Sequence, residues 1–271
     1  MEKRRHFKPD KHHFRDKRSH EPETPLDLVY GRNPVLEAIK AEKAFEKIFI
    51  LQTPHPSEPL FRIRKQAEEA GIPVLFAPRE KLDRLAQKQD HQGVVGVLSA
   101  YEYASLDEIL SKCHSREGGN LKPLILILDH LEDPQNLGSL LRTADAVGVS
   151  GVVIPKRRSA GLSAGTTKAS AGAVAHVPVA RVANLHQILL ELKEQGFTVM
   201  GADQSAQITH NEAEYPYPLA LVLGSEHQGL SLLIKNTCDQ LVRIPMKGHL
   251  DSLNVSVAGA LILYQIFLQW R

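Results

Sequence analysis

The sequence predicts an α/β protein built around a largely parallel, doubly wound sheet. Continuous apolar runs at residues 123–128 and 219–223 are typical of strands that are buried on both faces of such a sheet. Strand-like segments alternate with segments of helical periodicity along most of the chain. A stretch without periodicity at residues 111–120, ending in Gly-Gly-Asn, divides this pattern into a smaller first unit and a larger second one.

The composition is that of a globular protein, since 42% of the 271 residues are hydrophobic and 24% are charged. Collagen-like, low-complexity and disulfide-stapled chains are therefore excluded. Cys113 and Cys238 form no CxxC pair, so we expect neither a metal site nor a disulfide framework, and reduced thiols fit the cytoplasm. The apolar stretch at residues 257–264 is far shorter than the roughly 20 residues of a membrane helix. We expect a cytoplasmic protein without a membrane span.

The basic charge is concentrated at the N-terminus, where residues 1–25 hold eight lysines and arginines against five acids. This segment has few large apolar side chains, so burial cannot offset the entropy lost on ordering. We predict a disordered basic tail at residues 1–25. It is either a solubilising extension or an arm that contacts nucleic-acid phosphates.

The first unit, residues 26–103, reads as a small α/β domain. A turn containing Gly31 and Pro34 leads into a helix, and glycine closes a second helix at Gly71. The predicted strands are residues 47–51, 74–76 and 94–98, and the predicted helices are residues 35–39, 59–71 and 80–87.

Residues 104–120 are interpreted as a linker, and residues 121–271 as the second domain. Its predicted strands are residues 123–128, 151–154, 198–200, 219–223 and 241–244. Its predicted helices are residues 137–147, 186–195 and 254–268. Ligands of such sheets usually bind beyond the carboxyl ends of the strands.

Common nucleotide-binding motifs are absent from the sequence. No GxGxxG follows a strand, and the glycine-rich segment at residues 161–168 has the wrong spacing for a phosphate-binding Walker loop. We interpret residues 161–172 as a flexible loop of small residues that becomes ordered at the active site on binding.

Three blocks of polar residues follow predicted strands, at residues 129–145, 221–230 and 244–258. Taken alone, Asn136 would be a helix cap and Arg142 a solvated side chain. In this order and spacing, however, the blocks resemble the signature motifs of the SpoU-type (TrmH-like) RNA 2′-O-ribose methyltransferases. The first domain resembles the substrate-binding domain of that family, which has a ribosomal-protein-like fold. The sequence departs from the family at His227, where glycine is usual.

The resemblance implies a C-terminal trefoil-knotted (SPOUT) α/β domain that forms a homodimer and binds S-adenosylmethionine without a metal. The cofactor contacts that it implies are Gly224, Ile244 and Leu253. The catalytic residues that it implies are Asn136, Arg142, Glu226, Ser252 and Asn254. Because a guanidinium is effectively always protonated, we interpret Arg142 as stabilising a developing alkoxide rather than as a literal base.

The resemblance is strongest to the subgroup that methylates a guanosine ribose in 23S ribosomal RNA of the large subunit. Two alternatives stay open: a tRNA 2′-O-ribose methyltransferase, and a non-catalytic RNA-binding protein that keeps the fold. Intact catalytic positions argue against the second alternative.

Overall fold

The computed structural model describes residues 28–53, 57–87, 89–99, 101–114, 122–225, 228–248 and 252–271. The predicted tail, residues 1–25, lies outside the described residues. The described chain forms two sheets flanked by helices, which confirms the predicted α/β class.

The first sheet has four strands in the order β1-β4-β2-β3. Strands β2 and β3 are parallel, whereas β4 runs antiparallel to both β1 and β2. The strands are β1 (Leu28–Tyr30), β2 (Phe45–Leu51), β3 (Val74–Ala77) and β4 (Val94–Leu98), and the helices are α1 (Arg32–Lys40), α2 (Glu58–Glu69) and α3 (Arg79–Leu85). Strand β1 was missed because its three residues are too few to show a period.

Within the predicted linker, residues 104–120, Leu106–His114 form helix α4, and residues 115–120 lie outside the described residues. Ser105 and Glu108 cap this helix reciprocally: the Glu108 N–H donates to Ser105 Oγ (3.1 Å), and the Ser105 N–H donates to Glu108 Oε2 (2.8 Å). Ile109 and Leu110 are buried against the second sheet. The helix is therefore stabilised by tertiary packing that a window of its own sequence does not reveal.

The second sheet has seven parallel strands in the order β7-β6-β5-β10-β8-β11-β9. They are β5 (Leu124–Leu128), β6 (Gly151–Pro155), β7 (Val179–Val182), β8 (Thr198–Ala202), β9 (Ile208–Thr209), β10 (Leu219–Leu223) and β11 (Gln240–Arg243). The helices are α5 (Pro134–Val147), α6 (Ala164–Ser170), α7 (Leu185–Glu194), α8 (Leu232–Thr237) and α9 (Val255–Trp270). The trefoil knot stays a prediction, because strand order does not define how a chain is threaded.

The continuous apolar strands bury both of their faces. Leu126 and Leu128 pack into the core beneath α5 and α9, whereas Ile125 and Ile127 pack into the core beneath α4 and α7. Because neighbouring residues of a strand point to opposite faces, each position must be apolar.

The flexible loop predicted at residues 161–172 is wrong, because Ala164–Ser170 form helix α6. Ser163 caps the helix, and α6 packs tightly on α5 at Gly138. A Cβ at Gly138 would lie 2.4 Å from Ala169 Cβ and 2.6 Å from the Thr166 carbonyl oxygen. The small residues of α6 thus allow the two helices to pack closely, although a run of small residues is also typical of a loop.

Contacts between the two sheets centre on Arg181 of β7. Its Nη2 donates to the carbonyl oxygens of Ala70 and Lys156, both at 2.6 Å, and its guanidinium lies 5.0 Å from the centre of the Tyr103 ring. Lys156 also forms an ion pair with Glu42. These contacts join loops of the first unit to strand β7 and to the loop after β6 in the second sheet.

Candidate active site at the carboxyl ends of the second sheet

The blocks at residues 129–145, 221–230 and 244–258 are called the first, second and third motifs. The first motif contains the turn from β5 into α5. Asp133 is the N-cap, since its side chain accepts the Gln135 N–H at 2.9 Å, and Pro134 occupies the first turn, where its missing N–H is harmless. Asn136 is therefore not the cap. It is only 5% exposed, which leaves its amide for contacts inside the protein.

The third motif meets the first at Asn136. Asn254 caps helix α9, because its Oδ1 accepts the N–H groups of Ser256 and Val257. Its Nδ2 donates to Asn136 Oδ1 over 3.0 Å. Two of the predicted catalytic residues are thus joined directly.

The other predicted catalytic residues occupy different positions. Arg142 is exposed on α5, and its side chain makes no hydrogen bond or ion pair with the described residues. Ser252 is exposed just before α9. Glu226, together with the unusual His227, lies outside the described residues. The assignment of all five predicted residues as catalytic stays a prediction.

A cavity of about 290 Å³, here called the strand-end cavity, lies beyond β8, β10 and β11. Its walls include all three predicted cofactor contacts, together with Ser252. The apolar part is formed by Leu223, Val242, Ile244, Leu253 and Ile262. This is the position at which doubly wound sheets usually bind ligands.

Position 224 must be glycine, because backbone atoms lie where any side chain would begin. A Cβ there would lie 2.1 Å from the Gly229 carbonyl carbon and 2.3 Å from the Leu230 nitrogen. Ser225 and Gly229 close this tight turn through two backbone hydrogen bonds of 3.1 and 2.9 Å. The glycine thus lets the second motif fold back at the edge of the strand-end cavity.

Asp203 also lines the strand-end cavity and was missed by the sequence analysis. Burial raises its pKa, but hydrogen bonds from Ser205 and Lys235 outweigh burial and leave the pKa below its usual value of 3.8. Lys235 Nζ lies 2.9 Å from Asp203 Oδ1. A carboxylate directly after strand β8 is a signal that could have identified this residue.

Two further cavities continue from the strand-end cavity. The motif cavity, about 530 Å³, lies between the first two motifs and shares Ser225 with the strand-end cavity. The inter-sheet cleft, about 780 Å³, is lined by residues 68–69 and 71–73 of the first unit and by the loops after β5 and β6. It shares His130, Glu132 and Arg158 with the motif cavity.

Comparison with known proteins places this arrangement in a family. Residues 123–264 match the SpoU rRNA Methylase family, and residues 28–104 match the RNA 2′-O ribose methyltransferase substrate binding family. The chain is 44% identical over 241 residues to the TrmH family tRNA/rRNA methyltransferase YacO of Bacillus subtilis, covering 89% of this chain and 95% of that protein. The chain belongs to the SpoU (TrmH) family of RNA methyltransferases.

A second relative in this SpoU family, a TrmH family tRNA/rRNA methyltransferase of Staphylococcus haemolyticus, is 45% identical over 240 residues, covering 89% of this chain and 94% of that protein. Among solved structures, the SpoU methyltransferase AviRb of Streptomyces viridochromogenes, in complex with AdoMet, aligns with a TM-score of 0.56 at 22% identity, covering 90% of this chain and 89% of that one. An AdoMet-bound rRNA methyltransferase of Sinorhizobium meliloti aligns with a TM-score of 0.54 at 24% identity. The alignment covers 88% of this chain and 85% of that one. At these identities the structures support the shared fold. This SpoU protein is an RNA methyltransferase, and S-adenosylmethionine is the cofactor bound in those two neighbours.

The strand-end cavity fits this cofactor chemically. Its apolar walls suit an adenine ring, and the Asp203 carboxylate suits hydroxyl or ammonium donors. Its volume of about 290 Å³ is near the lower end of the range for small-molecule pockets, about 300–1,000 Å³. The described residues hold no group of three metal-ligating side chains. None of the helices in the described ranges is both long and apolar enough to cross a membrane.

Proposed function

We propose that the protein methylates the 2′-hydroxyl of a guanosine ribose in 23S ribosomal RNA. The observation that carries this proposal is the meeting of the first and third motifs through Asn136 and Asn254, beside a cavity that fits S-adenosylmethionine. Residues 28–104, which match a 2′-O ribose methyltransferase substrate-binding family, support an RNA ribose as the methyl acceptor.

The chain's own residues would position the hydroxyl and stabilise its charge. S-adenosylmethionine, when bound, supplies the methyl group. Transfer would break the carbon–sulfur bond, with its electron pair left on sulfur, while the ribose oxygen bonds to the methyl carbon and gives up its proton to solvent. Negative charge builds on the oxygen as that proton leaves. Arg142 would stabilise that charge, and Glu226 would hold the arginine or a loop amide. Asn136 and Asn254 would fix the start of α9, and Ser252 would contact the cofactor or the ribose.

Gly224, Ile244 and Leu253 would contact the cofactor, mainly through backbone groups and apolar walls. The inter-sheet cleft and the motif cavity share lining residues, and the motif cavity shares Ser225 with the strand-end cavity, so RNA bound along them would extend from the first unit toward the strand-end cavity. A folded N-terminal unit at one end of this path favours a large structured RNA as substrate.

We also propose that the enzyme works in the cytoplasm as a homodimer through its C-terminal unit. Exposed apolar side chains lie along one face of α9 at Val257, Leu261, Tyr264 and Leu268, at the spacing of a single helical stripe. An apolar stripe on the last helix suits a symmetric contact with a second copy.

The test is methyl transfer from labelled S-adenosylmethionine into large-subunit ribosomal RNA that lacks its native modification, followed by mapping of the 2′-O-methylated position. Labelling at one guanosine is expected. Labelling of tRNA instead would replace the substrate and keep the chemistry. Absent transfer to either RNA, with cofactor binding intact, would favour a non-catalytic RNA-binding protein or a substrate present only in assembling ribosomal particles.

A further inference from the structure

Two residues stand out where the motif cavity meets the inter-sheet cleft. His130 and Arg158 line both spaces, and each has a positive φ, of 59° and 52° respectively. Residues other than glycine seldom adopt this left-handed backbone, and such outliers cluster at functional sites. Here two independent loops, one after β5 and one after β6, place side chains that can contact RNA at the same opening.

The His130 ring is held from inside the protein. Its Nδ1 lies 2.5 Å from Oδ1 of Asp129, whose side chain is 2% exposed, and Asp129 Oδ2 accepts the Ser231 N–H at 2.9 Å. The His130 side chain itself is 45% exposed. The buried carboxylate fixes the imidazole through Nδ1, which leaves Nε2 as the ring nitrogen for a ligand.

Arg158 presents an exposed guanidinium at the same opening. Its side chain has no hydrogen bond or ion pair within the described ranges, whereas the adjacent Arg157 lies 3.6 Å from Glu69. Guanidinium groups bind phosphates through paired N–H donors. Glu132 lines both spaces too, and its carboxylate suits the hydroxyl and base N–H donors of RNA.

We propose that Arg158 and His130 bind the RNA backbone next to the methylated ribose, with Arg158 donating to a phosphate and His130 Nε2 accepting from a neighbouring 2′-hydroxyl. This inference rests on the proposed function and adds the residues that position the acceptor strand. The motif cavity joins these residues to the strand-end cavity through Ser225, so a strand held here leads toward the cofactor.

Glycine substitution tests Arg158 without straining the backbone, because glycine readily adopts the φ that Arg158 already has. The probe is an unmodified large-subunit ribosomal RNA transcript, titrated with the full-length protein at several salt concentrations. Arg158→Gly should raise the RNA Kd about tenfold. It should also reduce the slope of log Kd against log salt by about 0.7, the value for one lost phosphate contact on a single strand. S-adenosylmethionine binding should be unchanged.

Gln87→Gly is the matched control, since Gln87 is exposed, has φ 49° and lies away from these spaces. It should leave both the Kd and the salt slope as in the wild type. His130→Asn keeps a donor for Asp129 and tolerates the left-handed backbone, but its reach is shorter. It should weaken RNA binding several-fold while the melting temperature is kept.

The outcomes separate this inference from the proposed function. Unchanged RNA binding and salt slope in Arg158→Gly, with an active wild type, would overturn the backbone site alone. Loss of S-adenosylmethionine binding in Arg158→Gly would assign the residue to the cofactor site and would also overturn it. Failure of the wild type to bind the transcript would overturn both the backbone site and the ribosomal substrate.

Discussion

Asn254 donates from Nδ2 to Oδ1 of Asn136 over 3.0 Å and so connects motifs that are 118 residues apart in the chain. The other side of the same amide, Oδ1, accepts the backbone N–H groups of Ser256 and Val257 at 2.9 and 3.4 Å. One side chain therefore both begins α9 and anchors the first turn of α5. Displacing either motif alone would therefore break this hydrogen bond.

Asn254→Ser separates these two roles. Serine is as good an N-cap as asparagine but has no amide to donate to Asn136. Because the cap is kept, the loss in free energy of unfolding should be limited to the buried hydrogen bond, about 1–3 kcal/mol. The kcat/KM for methyl transfer should fall up to about 100-fold, as expected for a small misplacement at the site. Thermal melts and labelled methyl transfer measure the two effects.

The control for this prediction is a double-mutant cycle with Asn136→Ala. If the hydrogen bond carries the effect, the loss in the double variant should be smaller than the sum of the two single losses. Fully additive losses would mean that the two asparagines act separately.

Arg142→Ala should abolish methyl transfer while S-adenosylmethionine still binds. The side chain is exposed on α5 and is not part of the strand-end cavity, so its removal should not disturb that cavity. A lost stabiliser of transition-state charge typically lowers kcat by about 10²–10³-fold. Single-turnover kinetics measure the rate of methyl transfer, and calorimetric titration measures cofactor binding. Loss of cofactor binding would contradict the role of Arg142 as a stabiliser of transition-state charge.

Leu261→Glu should dissociate the proposed dimer, because it places a charge within the exposed apolar stripe of α9. Sedimentation should then give the mass of one chain. Leu75→Glu is the matched control, because Leu75 is similarly exposed, at 46% against 44% for Leu261, but lies on β3 of the other sheet. Dissociation by both variants, or by neither, would refute a dimer through α9.

The sequence predicts the central strands well because burial on both faces leaves a strong local pattern. Strands β5 and β10 are apolar at each of their five positions. Strands β7 and β9 and helix α8 were missed because they are short or lie among polar residues. Their conformation depends on neighbouring elements, and a local window does not contain that information.

The same limit applies to the candidate site. The motif residues could be listed from their order, but the contact between Asn136 and Asn254 depends on the strand order that brings α9 beside α5. Helix α6 was mistaken for a loop because Gly165, Thr166 and Thr167 are poor helix formers. Its packing on α5 overrides that preference.

Gly138→Ala should destabilise the protein by about 1–3 kcal/mol, the usual cost of overpacking a core. The new methyl would lie 2.6 Å from a backbone carbonyl oxygen and 2.9 Å from a backbone nitrogen of α6, which cannot both move away. Gly165→Ala is the control in the same helix pair. Its nearest contact would be 3.3 Å, and alanine favours a helix by up to about 1 kcal/mol. Chemical denaturation should therefore show that the two variants change the free energy of unfolding in opposite directions, or by clearly different amounts.

The thiols of Cys113, which is buried, and Cys238, which is half-buried, should make the protein lose stability at alkaline pH. Burial raises the pKa of Cys238 from its usual 9.0 to about 12, and burial also raises the pKa of Cys113. Above pH 9 the unfolded chain loses thiol protons that the folded chain retains. The stabilisation is therefore complete below pH 9 and is lost as the pH rises toward 12.

Cys238→Ala isolates the contribution of one thiol. The absolute stability will fall because the Cys238 side chain packs against the second sheet and its Sγ contacts the Ile234 carbonyl oxygen. The informative quantity is instead the slope of the unfolding free energy between pH 9 and 10. It should be shallower than in the wild type by up to about 1.4 kcal/mol per pH unit. Equal slopes would mean that the Cys238 thiol titrates alike in the folded and unfolded chains, and that its burial does not hold the proton.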